Sequence, residues 1–555
     1  MENTSMRILP DKVQYQEGEQ VCLEIKDVEV QAEDEIRLTL FRYTGEEIPC
    51  KIVEIRDHSI FLPESIPEGI GGYLAKVELF RKGKPISSAC TAFDVVDSWS
   101  DAPRYGFLSC LSGEEPRSGS YSDFFREMHL NVIQFYDWMY RHDCFYPEGD
   151  LYTDIMGRKG SMAAVRDRIQ GVHDCGAKAI AYGAVYGAES FQEAHPECRY
   201  LYDNGEPMVF IDRIWLMDIH RGTAWRKKIL LEYQKALQSG FDGIHMDQYG
   251  DPKEAYVFVD NQLVIRDLAD DFRDLINEAK ETCPRNCFIF NAVNNWPVDS
   301  VAKSREDCVY IEVWSPNDTY GDLFRLIEHA RCKGDKKQVI LAAYLNPFKT
   351  DPAANEKGAT AQLAMATIFA SGGFHLLLGE EGRILTEAYY PDNYRIANPS
   401  LWNSLKRYYD FITAYGELLF PKDWIDVTTQ YAGGINSEFV FGKIAWSPYP
   451  EAGKVWIRIY KRSREFSVRY VNFTGIEDMN WNHTHFDLPV CKKNLETKVK
   501  LPGQKIRICA LSPDAAAQEP MHLDYTVRCG EDRRQEIRFE LPELSVFTVV
   551  YMNLE

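Results

Sequence analysis

Three carboxylate side chains stand at or near the ends of short apolar runs, where they could act together on one bond. Asp137 ends the run NVIQFYD, Asp247 ends DGIHMD, and Glu312 lies in CVYIEVW. Hydrolysis of a glycosidic bond needs two such groups, because one attacks the sugar or activates water while the other protonates the leaving oxygen. A single strand-end carboxylate is about as often a helix cap or an ion-pair partner of arginine, so the prediction depends on the pair.

The apolar runs between about residues 105 and 420 each precede a longer amphipathic stretch, which predicts alternating strands and helices. The eight predicted strands are GFLSC (106–110), NVIQFYD (131–137), KAIAYGA (178–184), DGIHMD (242–247), CFIFNA (287–292), CVYIEVW (308–314), QVILAAY (338–344) and GFHLLLG (373–379). Eight such units predict a central (β/α)8 TIM barrel, whose reactive groups project from the C-terminal ends of its strands. Because strands four and six are not neighbours, Asp247 and Glu312 are expected to face each other across the mouth, compatible with the roughly 5–5.5 Å carboxyl separation of a retaining enzyme.

The two ends of the chain have a different pattern, with short alternating strands between turns. Residues 1–100 are predicted to form an N-terminal immunoglobulin-like β-sandwich. Residues 101–422 hold the predicted catalytic barrel, and residues 423–555 are predicted to form a C-terminal antiparallel β-sandwich.

The bulk composition narrows the classes of partner. The 555 residues carry a formal net charge of -21, which would repel phosphate backbones and anionic lipids, so neither a nucleic acid nor a membrane is an expected partner. The N-terminus lacks the features of a signal peptide, which predicts a cytoplasmic protein or a secreted one whose signal is absent from this chain. The fourteen cysteines lack the spacing of a zinc site, so we expect reduced thiols, no metal site and no cofactor.

Several sequence blocks make the prediction more specific. The blocks are QFYDWMYRHDCFYP, GFDGIHMDQYG, NAVNNW, YIEVW, AAYLNP and LLLGEEG followed by LTEAYYP. In content and order they resemble the conserved blocks of glycoside hydrolase family 66, the dextranases and cycloisomaltooligosaccharide glucanotransferases, over essentially the whole predicted barrel. The resemblance implies endo-hydrolysis of α-1,6-glucan with retention, with Asp247 as the nucleophile and Glu312 as the acid/base. Asp242, the rival in the fourth block, opens its strand and is expected at the opposite end of the barrel.

One difference between this sequence and the cyclising members of the family bears on whether the product is linear or cyclic. Cyclising members are similar but carry an additional carbohydrate-binding module within the barrel region, whereas here no gap between consecutive predicted strands contains a whole β domain. The longest insertion, about residues 185–240, holds the segment FIDRIWLMDIH and one helix. The sequence therefore favours a dextranase acting on dextran or isomaltooligosaccharides, with transglycosylation as a side reaction. The alternatives are a cycloisomaltooligosaccharide glucanotransferase and a glucan-binding protein whose barrel has lost activity.

The remaining site predictions concern polar and aromatic residues that follow the predicted strands. The predicted substrate contacts are Tyr136, Asp137, Trp138, Arg141, His142, Tyr182, Tyr186, Asp218, His220, His245, Gln248, Asn291, Asn295, Trp314, Asn346 and Glu380. Ion pairing is the alternative for Arg141 and His142, and a core position is the alternative for Tyr136 and His245. We also expect apolar neighbours of Glu312 to keep it protonated, and Gln248 and Tyr249 to hold Asp247 ionised by hydrogen bonds.

Overall fold

The centre of the protein is a ring of parallel strands. The computed structural model describes residues 6–52, 54–56, 58–63, 69–113, 120–260, 262–356, 358–503, 505–529 and 535–555. The eight parallel strands are β1 (Tyr105–Leu108), β2 (Val132–Phe135), β3 (Lys178–Ala184), β4 (Gly243–Asp247), β5 (Cys287–Asn291), β6 (Cys308–Glu312), β7 (Val339–Ala342) and β8 (Phe374–His375 and Leu378–Gly379). Each strand from β1 to β7 pairs in parallel with the next along the chain.

The eighth strand closes the ring in two pieces. Phe374–His375 pairs with β7, and Leu378–Gly379 pairs with β1. The sheet then continues through two antiparallel strands, Arg383–Leu385 and Asn393–Arg395, to a total of eleven strand segments. The predicted alternation of eight strand units with helices is confirmed, although the run GFHLLLG is divided because its two halves pair with different neighbours.

A helix follows each strand of the ring. The helices are α1 (Ser120–Glu127), α2 (Met162–Asp174), α3 (Ala224–Gln238), α4 (Leu268–Thr282), α5 (Val298–Val301), α6 (Tyr320–Lys333), α7 (Ala359–Ala370) and α8 (Pro399–Tyr415). Side-chain caps fix the residues at which several helices begin. Thr223 accepts a hydrogen bond from the backbone of the first turn of α3, and Thr319 forms a capping box with Asp322 on α6. Helix α7 is buried on all sides, which explains its almost uniformly apolar sequence ATAQLAMATIFA.

Two sheets precede the ring and enclose one core. The first contains Arg7–Pro10, Cys22–Lys26, Glu54–Arg56 and Ser59–Phe61, and the second contains Tyr15–Gln16, Asp34–Phe41, Glu47–Pro49, Gly71–Arg81 and Lys84–Val96. Leu23 from the first sheet and Leu40 and Val77 from the second belong to the same buried cluster. The sheets therefore pack face to face, while the immunoglobulin-like topology stays a prediction.

Two further sheets follow the ring. One contains Ile425–Asp426, Trp446–Ser447, Val455–Arg462, Glu465–Asn472, Ile506–Leu511, Met521–His522 and Phe547–Leu554, and the other contains Ala432–Gly433, Asn436–Ser437, Phe439–Phe441, Lys492–Val499, Tyr525–Cys529 and Gln535–Leu544. Their inner faces share a second core, to which Val468 and Phe539 belong. The domain boundaries at residues 100 and 422 stay predictions, since the largest buried cluster includes Leu74 and Phe547 together with the ring.

Insertions at the carboxyl ends of β2, β3 and β4 build the rim around the ring. They form a hairpin of Leu151–Thr153 with Lys159–Ser161, a three-stranded sheet of Gly187–Ala188, Val209–Phe210 and Ile214–Leu216, and a hairpin of Glu254–Val259 with Gln262–Asp267. Short helical turns complete the chain at Trp99–Asp101, Phe191–Ala194, Pro196–Cys198, Val293–Asn295, Pro347–Thr350, Pro352–Asn355, Gly416–Leu418 and Thr428–Tyr431. Within the described part of the chain, no helix is both long enough and apolar enough to cross a bilayer.

Candidate active site

A cavity of about 450 Å³ opens at the carboxyl ends of the strands. Ten of the residues predicted from the sequence line it: Tyr136, Asp137, His142, Tyr182, His245, Asp247, Gln248, Asn291, Glu312 and Trp314. Such a concave, largely aromatic cavity with a few convergent polar groups is typical of a small-molecule or sugar site. The strand ends therefore bring together the residues on which the predicted chemistry depends.

One amide group holds the two candidate catalytic carboxylates. Asn291, the last residue of β5, donates from Nδ2 to Oδ1 of Asp247 over 2.7 Å and to Oε2 of Glu312 over 3.0 Å. Its Oδ1 accepts from the backbone N–H of Glu312 over 3.2 Å, which fixes the orientation of the amide. Because both carboxylates contact the same nitrogen, their separation is compatible with the roughly 5–5.5 Å of retaining glycosidases.

Two tyrosines complete the hydrogen bonding of this pair. The hydroxyl of Tyr182 donates to Oδ2 of Asp247 over 2.7 Å, and the hydroxyl of Tyr344 donates to Oε1 of Glu312 over 2.7 Å. Tyr182 lies on β3 and Tyr344 follows β7, so each carboxylate is held from the side away from the other. Both oxygens of each carboxylate are thus bound, and the pair is positioned before any substrate enters.

Burial raises the pKa of both carboxyl groups, and the charge of Glu312 adds to the rise for Asp247. Burial, followed by the charge of Glu312, raises the pKa of Asp247 to about 7, against the opposing hydrogen bonds from Asn291 and Tyr182. Burial also raises the pKa of Glu312, although the hydrogen bonds from Tyr344 and Asn291 oppose the shift. Two buried carboxylates this close do not both ionise readily, and this favours one proton shared by the pair, as an acid and a nucleophile acting together require.

The residues that follow Asp247 act differently from the prediction. The side chain of Gln248 donates to the backbone oxygen of Asn291 over 3.0 Å and does not contact the carboxylate, whereas the backbone N–H of Gln248 lowers the pKa of Asp247. The backbone N–H of Tyr249 donates to the hydroxyl of Tyr186 over 2.7 Å. Gln248 therefore positions the bridging Asn291, and Tyr182 supplies the side-chain hydrogen bond that was expected from Gln248 or Tyr249.

A second acidic group lies at the end of β2. Asp137 has a φ of 40°, a left-handed conformation that Asp tolerates better than most residues, and its Oδ2 accepts from Nη2 of Arg158 over 3.2 Å. Burial raises the pKa of Asp137, and the charges of His142 and Arg158 oppose that shift. Burial lowers the pKa of His142, but the hydrogen bond to Glu189 and the charge of Asp137 raise it by a larger amount. The net shift of this pKa is therefore upward.

His245 lies on β4, two residues before the candidate nucleophile Asp247. Its Nδ1 is 3.1 Å from the hydroxyl of Tyr105, and its ring is stacked on that of Tyr182 at a centroid distance of 6.2 Å. Burial lowers the pKa of His245 to about 3, so the imidazole stays neutral at physiological pH. It lies at the floor of the cavity, where it supports Tyr182.

Eight predicted contacts lie outside the cavity lining: Trp138, Arg141, Tyr186, Asp218, His220, Asn295, Asn346 and Glu380. Trp138 is fully buried and donates from Nε1 to the backbone oxygen of Tyr182 over 3.1 Å. Tyr186 is also fully buried. Arg141 forms an ion pair with Glu189, with its Nε 3.0 Å from Oε2 of that residue. In the structure all three support the lining and do not form part of it.

Asp218 forms an ion pair and His220 forms a hydrogen bond with a carboxylate, and both contacts lie away from the cavity. Oδ2 of Asp218 lies 3.2 Å from Nε of Arg266, and Nδ1 of His220 lies 2.7 Å from Oδ1 of Asp271. Asp218 thereby joins the insertion after β3 to the hairpin that follows β4, and His220 joins it to α4. Their positions explain the polar residues in the segment WLMDIH without contact to a substrate.

The side chains of Asn295 and Glu380 hold backbone groups, whereas the backbone of Asn346 is itself held by a side chain. Asn295 donates from Nδ2 to the backbone oxygen of Leu326 over 3.2 Å, and the backbone N–H of Asn346 donates to Oδ1 of Asn482 over 2.9 Å. The buried carboxylate of Glu380 accepts from the hydroxyl of Ser109 over 2.6 Å and from its backbone N–H over 3.0 Å. Glu380 therefore joins the end of β8 to the residues that follow β1.

Two lining residues, Tyr344 and Phe210, were not among the sequence predictions, nor was Arg158, which contacts the lining residue Asp137. Tyr344 lies in the quoted block AAYLNP, two residues beyond the end of β7, and its position after a strand was the available signal. Arg158 and Phe210 come from insertions after β2 and β3, for which strand periodicity gives no signal. Asp242 precedes β4 and accepts from the backbone N–H of Ala179, at the opposite end of the ring from Asp247.

Across the described residues, no group of three or more His, Cys, Asp or Glu side chains is arranged to hold a metal ion.

Comparison with known proteins decides the family. The model of glycosyl hydrolase family 66 matches residues 10–551. This chain belongs to that family. A cycloisomaltooligosaccharide glucanotransferase from Niallia circulans is 24% identical over 87% of this chain and 64% of its own length, and a dextranase from Streptococcus salivarius is 25% identical over 87% of this chain and 67% of its own length. The family 66 chain thus spans about two thirds of the length of these curated relatives, and near-equal identities do not separate the two activities.

Solved structures agree on the fold. A cycloisomaltooligosaccharide glucanotransferase from Paenibacillus sp., complexed with cycloisomaltoheptaose, superposes with a TM-score of 0.85 at 21% identity, covering 98% of this chain and 99% of that chain. An α-amylase from Geobacillus thermoleovorans, complexed with acarbose, reaches 0.50 at 11% identity, covering 82% and 99%. The family 66 chain therefore shares a multidomain α/β architecture with these enzymes.

Proposed function

We propose that this family 66 member cleaves α-1,6-glucosidic bonds of dextran or isomaltooligosaccharides with retention of configuration. The observation that carries the proposal is the pair Asp247 and Glu312, held by the single amide of Asn291 at a spacing suited to double displacement. The choice of linkage draws on the names of the relatives, which are dextranase and cycloisomaltooligosaccharide glucanotransferase.

In the first step Asp247 attacks the anomeric carbon of the bound glucose unit. Glu312 donates its proton to the glycosidic oxygen, and the leaving sugar departs with a free hydroxyl. Transfer of that proton leaves Glu312 charged while the charge of Asp247 is consumed in the new bond. The pair thus keeps one net negative charge in the buried site, and the hydrogen bonds from Asn291 serve both states.

In the second step Glu312 acts as the base. It removes a proton from water, which attacks the anomeric carbon and releases Asp247, and the two inversions together retain the configuration. Tyr344 stabilises the charge that Glu312 carries between the two steps, through the 2.7 Å hydrogen bond to Oε1. A sugar hydroxyl that replaces water in this step gives transglycosylation.

Hydrolysis is our first candidate and cyclisation the second. The insertions after β2, β3 and β4 consist of hairpins and a three-stranded sheet, and the described residues contain no inserted β domain within the ring. This supports a dextranase-type hydrolase. The second candidate, a cycloisomaltooligosaccharide glucanotransferase, is favoured by the relatives that carry this name.

The test is incubation with dextran and, separately, with starch, followed by separation of linear and cyclic products. We expect linear isomaltooligosaccharides from dextran and no products from starch. Cyclic products from dextran would select the second candidate, and products from starch but not from dextran would overturn the linkage assignment. The α-anomer should form first when the reaction is followed by NMR, and initial formation of the β-anomer would exclude retention.

A further inference from the structure

A connection between the two sheets that follow the ring reaches the side of the ring that carries the acid. It comprises residues 473–491 and joins Glu465–Asn472 of one sheet to Lys492–Val499 of the other. Within it, four consecutive residues, 479–482 (MNWN), contact the segments that follow β6 and β7. We call these four residues the rim run. Because Glu312 ends β6, the rim run lies beside the part of the ring that holds the acid.

The rim run holds the segment that follows β6. The backbone N–H of Trp481 donates to the backbone oxygen of Asp318 over 3.0 Å, and its Nε1 donates to the backbone oxygen of Asn317 over 2.8 Å. The backbone N–H of Tyr320 donates to the backbone oxygen of Met479 over 3.0 Å. Trp481 is buried and belongs to the same apolar core as the ring. The far end of this segment is therefore fixed by the sheets that follow the ring.

The rim run also holds the segment that follows β7. Oδ1 of Asn482 accepts from the backbone N–H of Asn346 over 2.9 Å. Asn346 comes two residues after Tyr344 and precedes the short helical turn Pro347–Thr350, which its own side chain does not cap. Asn482 therefore fixes this segment from outside the ring.

Each of the two segments carries a side chain that acts on Glu312. The hydroxyl of Tyr344 donates to Oε1 of Glu312 over 2.7 Å. Trp314, two residues after Glu312, lines the cavity, and its side chain lowers the pKa of Glu312, as that of Tyr344 does. The rings of Trp314 and Tyr344 meet edge to face with their centroids 5.9 Å apart. The two segments thus support the acid together, and the rim run holds both of them.

The backbone of the rim run is itself fixed by local hydrogen bonds. The backbone N–H of Asn482 donates to Oδ1 of Asn480 over 2.9 Å, and the backbone N–H of Asn480 donates to Oδ1 of Asp478 over 2.9 Å. Such bonds from a backbone N–H to an Asn or Asp two residues earlier stabilise tight turns. Just after the run, the backbone N–H of His485 donates to Oγ1 of Thr360 on α7 over 3.0 Å. The run can therefore hold other segments in place.

We propose that Asn482 and Trp481 are positioning residues for the general acid Glu312. Asn482 acts through the segment that carries Tyr344, and Trp481 acts through the segment that carries Trp314. A catalytic group has to be held within about 0.5 Å of its productive position, so the support of these segments affects proton transfer. The sheets that follow the ring are then part of the catalytic unit. This inference rests on the proposed function, which makes Glu312 the acid.

The first test compares two substrates in Asn482→Leu, which removes the acceptor and keeps a similar side-chain volume. One is a linear isomaltooligosaccharide, and the other is its nitrophenyl glycoside, whose leaving group needs no proton. We expect kcat/KM to fall about 3- to 10-fold for the isomaltooligosaccharide, the range for loss of one hydrogen bond between neutral groups, and to stay unchanged for the nitrophenyl glycoside. Asn482→Asp keeps an acceptor at this place and should restore most of the lost activity. A purely structural role would lower activity on both substrates alike.

The second test asks whether Asn482 acts through Tyr344. Tyr344→Phe already lacks the hydrogen bond to Glu312, so adding Asn482→Leu to it has little left to disturb. We expect the double variant to have the kcat/KM of Tyr344→Phe alone on isomaltooligosaccharides. Two independent effects would multiply instead.

Trp481→Phe is the second positioning variant. It removes the hydrogen bond to Asn317 and keeps an aromatic ring in the core, so it should show the same selective loss on the isomaltooligosaccharide. Asn553→Leu is the matched control, because Oδ1 of Asn553 also accepts from a backbone N–H, that of Glu555 over 3.1 Å, within the sheets that follow the ring. Its kcat/KM should equal that of the unmodified enzyme on both substrates.

Three results would each overturn the proposal. They are equal losses on the two substrates in an Asn482→Leu protein that is folded by circular dichroism, unchanged activity in both Asn482→Leu and Trp481→Phe, and effects that multiply in the double variant with Tyr344→Phe. Failure of the proposed function gives a different result, in which the unmodified enzyme leaves both substrates intact. The two failures are therefore distinguishable.

Discussion

Nδ2 of Asn291 lies 2.7 Å from Oδ1 of Asp247, at the mouth of the ring where β4 and β5 end side by side. The same nitrogen contacts Glu312, so a single neutral donor holds the two acidic groups that face each other. A positively charged residue at this place would lower the pKa of both carboxyl groups and remove the proton that the acid needs. An amide positions the carboxylates and leaves one proton on the pair.

Replacement of Asn291 by Leu should lower kcat/KM about 10- to 100-fold, since a hydrogen bond to a charged group contributes about 1.5–3 kcal/mol. The amide lowers the pKa of Asp247 and of Glu312, so its loss raises both and moves the whole pH–activity profile upward. Asn295→Ala is the control, because its side chain contacts Leu326 outside the cavity. An unchanged profile in Asn291→Leu would contradict the bridging role.

The catalytic pair itself is tested by Asp247→Gly and Glu312→Gln. Loss of the acid should reduce turnover of isomaltooligosaccharides about 10²- to 10⁴-fold, but much less for a substrate whose leaving group needs no protonation, such as a nitrophenyl glycoside. Loss of the nucleophile should abolish turnover of both substrates, with partial rescue by azide. Equal losses on the two substrates in Glu312→Gln, with correct folding by circular dichroism, would exclude its role as the acid.

The two tyrosines predict shifts of different limbs of the pH profile. Tyr182→Phe removes a hydrogen bond that lowers the pKa of Asp247, so that pKa rises above about 7. Activity requires ionised Asp247 and is lost as pH falls through this pKa, so the acidic limb of kcat/KM moves to higher pH by about one unit, the equivalent of about 1.4 kcal/mol.

Tyr344→Phe affects the opposite limb. It removes a hydrogen bond that lowers the pKa of Glu312, so that pKa rises. Activity requires protonated Glu312 and is lost as pH rises through this pKa, so the basic limb moves to higher pH. Because the limbs belong to the pair, each variant also moves the other limb slightly. A downward shift of either principal limb would contradict these assignments.

Much of the ring follows directly from local sequence patterns. The run DGIHMD predicts a strand at 242–247, and the structure has Gly243–Asp247, because a buried parallel strand needs a continuous apolar stretch. Strand order then places Asp247 and Glu312 at one mouth without knowledge of any loop. The division of β8 was not predictable, since it depends on pairing with β7 and β1 from opposite ends of the ring.

The site residues could be predicted where they lie at the ends of strands, but not where the conformation of a loop brings them to the site. Asn291 ends β5, so its inclusion followed from position, but its bridge between two carboxylates depends on the spacing of three strands. Asn346 was predicted from the block that also contains Tyr344. The two residues are only two positions apart, yet Tyr344 contacts Glu312 whereas Asn346 lies outside the cavity. Phe210 reaches the cavity, and Arg158 reaches Asp137, through hairpins whose geometry no apolar periodicity encodes.

The last prediction concerns the closure of the ring at Glu380. Its buried carboxylate accepts from the backbone N–H groups of Ser109 and Cys110 over 3.0 Å and 3.1 Å and from the hydroxyl of Ser109. Glu380→Ala leaves these donors buried without an acceptor, at a cost of about 1–3 kcal/mol each, and should lower the urea midpoint of unfolding clearly. Glu381→Ala is the neighbouring control: Glu381 is more exposed and lies 3.7 Å from Arg395 in a surface ion pair that contributes at most about 1 kcal/mol.

Because Glu380 lies outside the cavity lining, Glu380→Ala should keep the pH profile of the parent below its unfolding transition. Equal stability of the two variants would show that closure between β8 and β1 does not depend on this carboxylate, and an altered pH profile in the folded Glu380→Ala protein would return Glu380 to the active site.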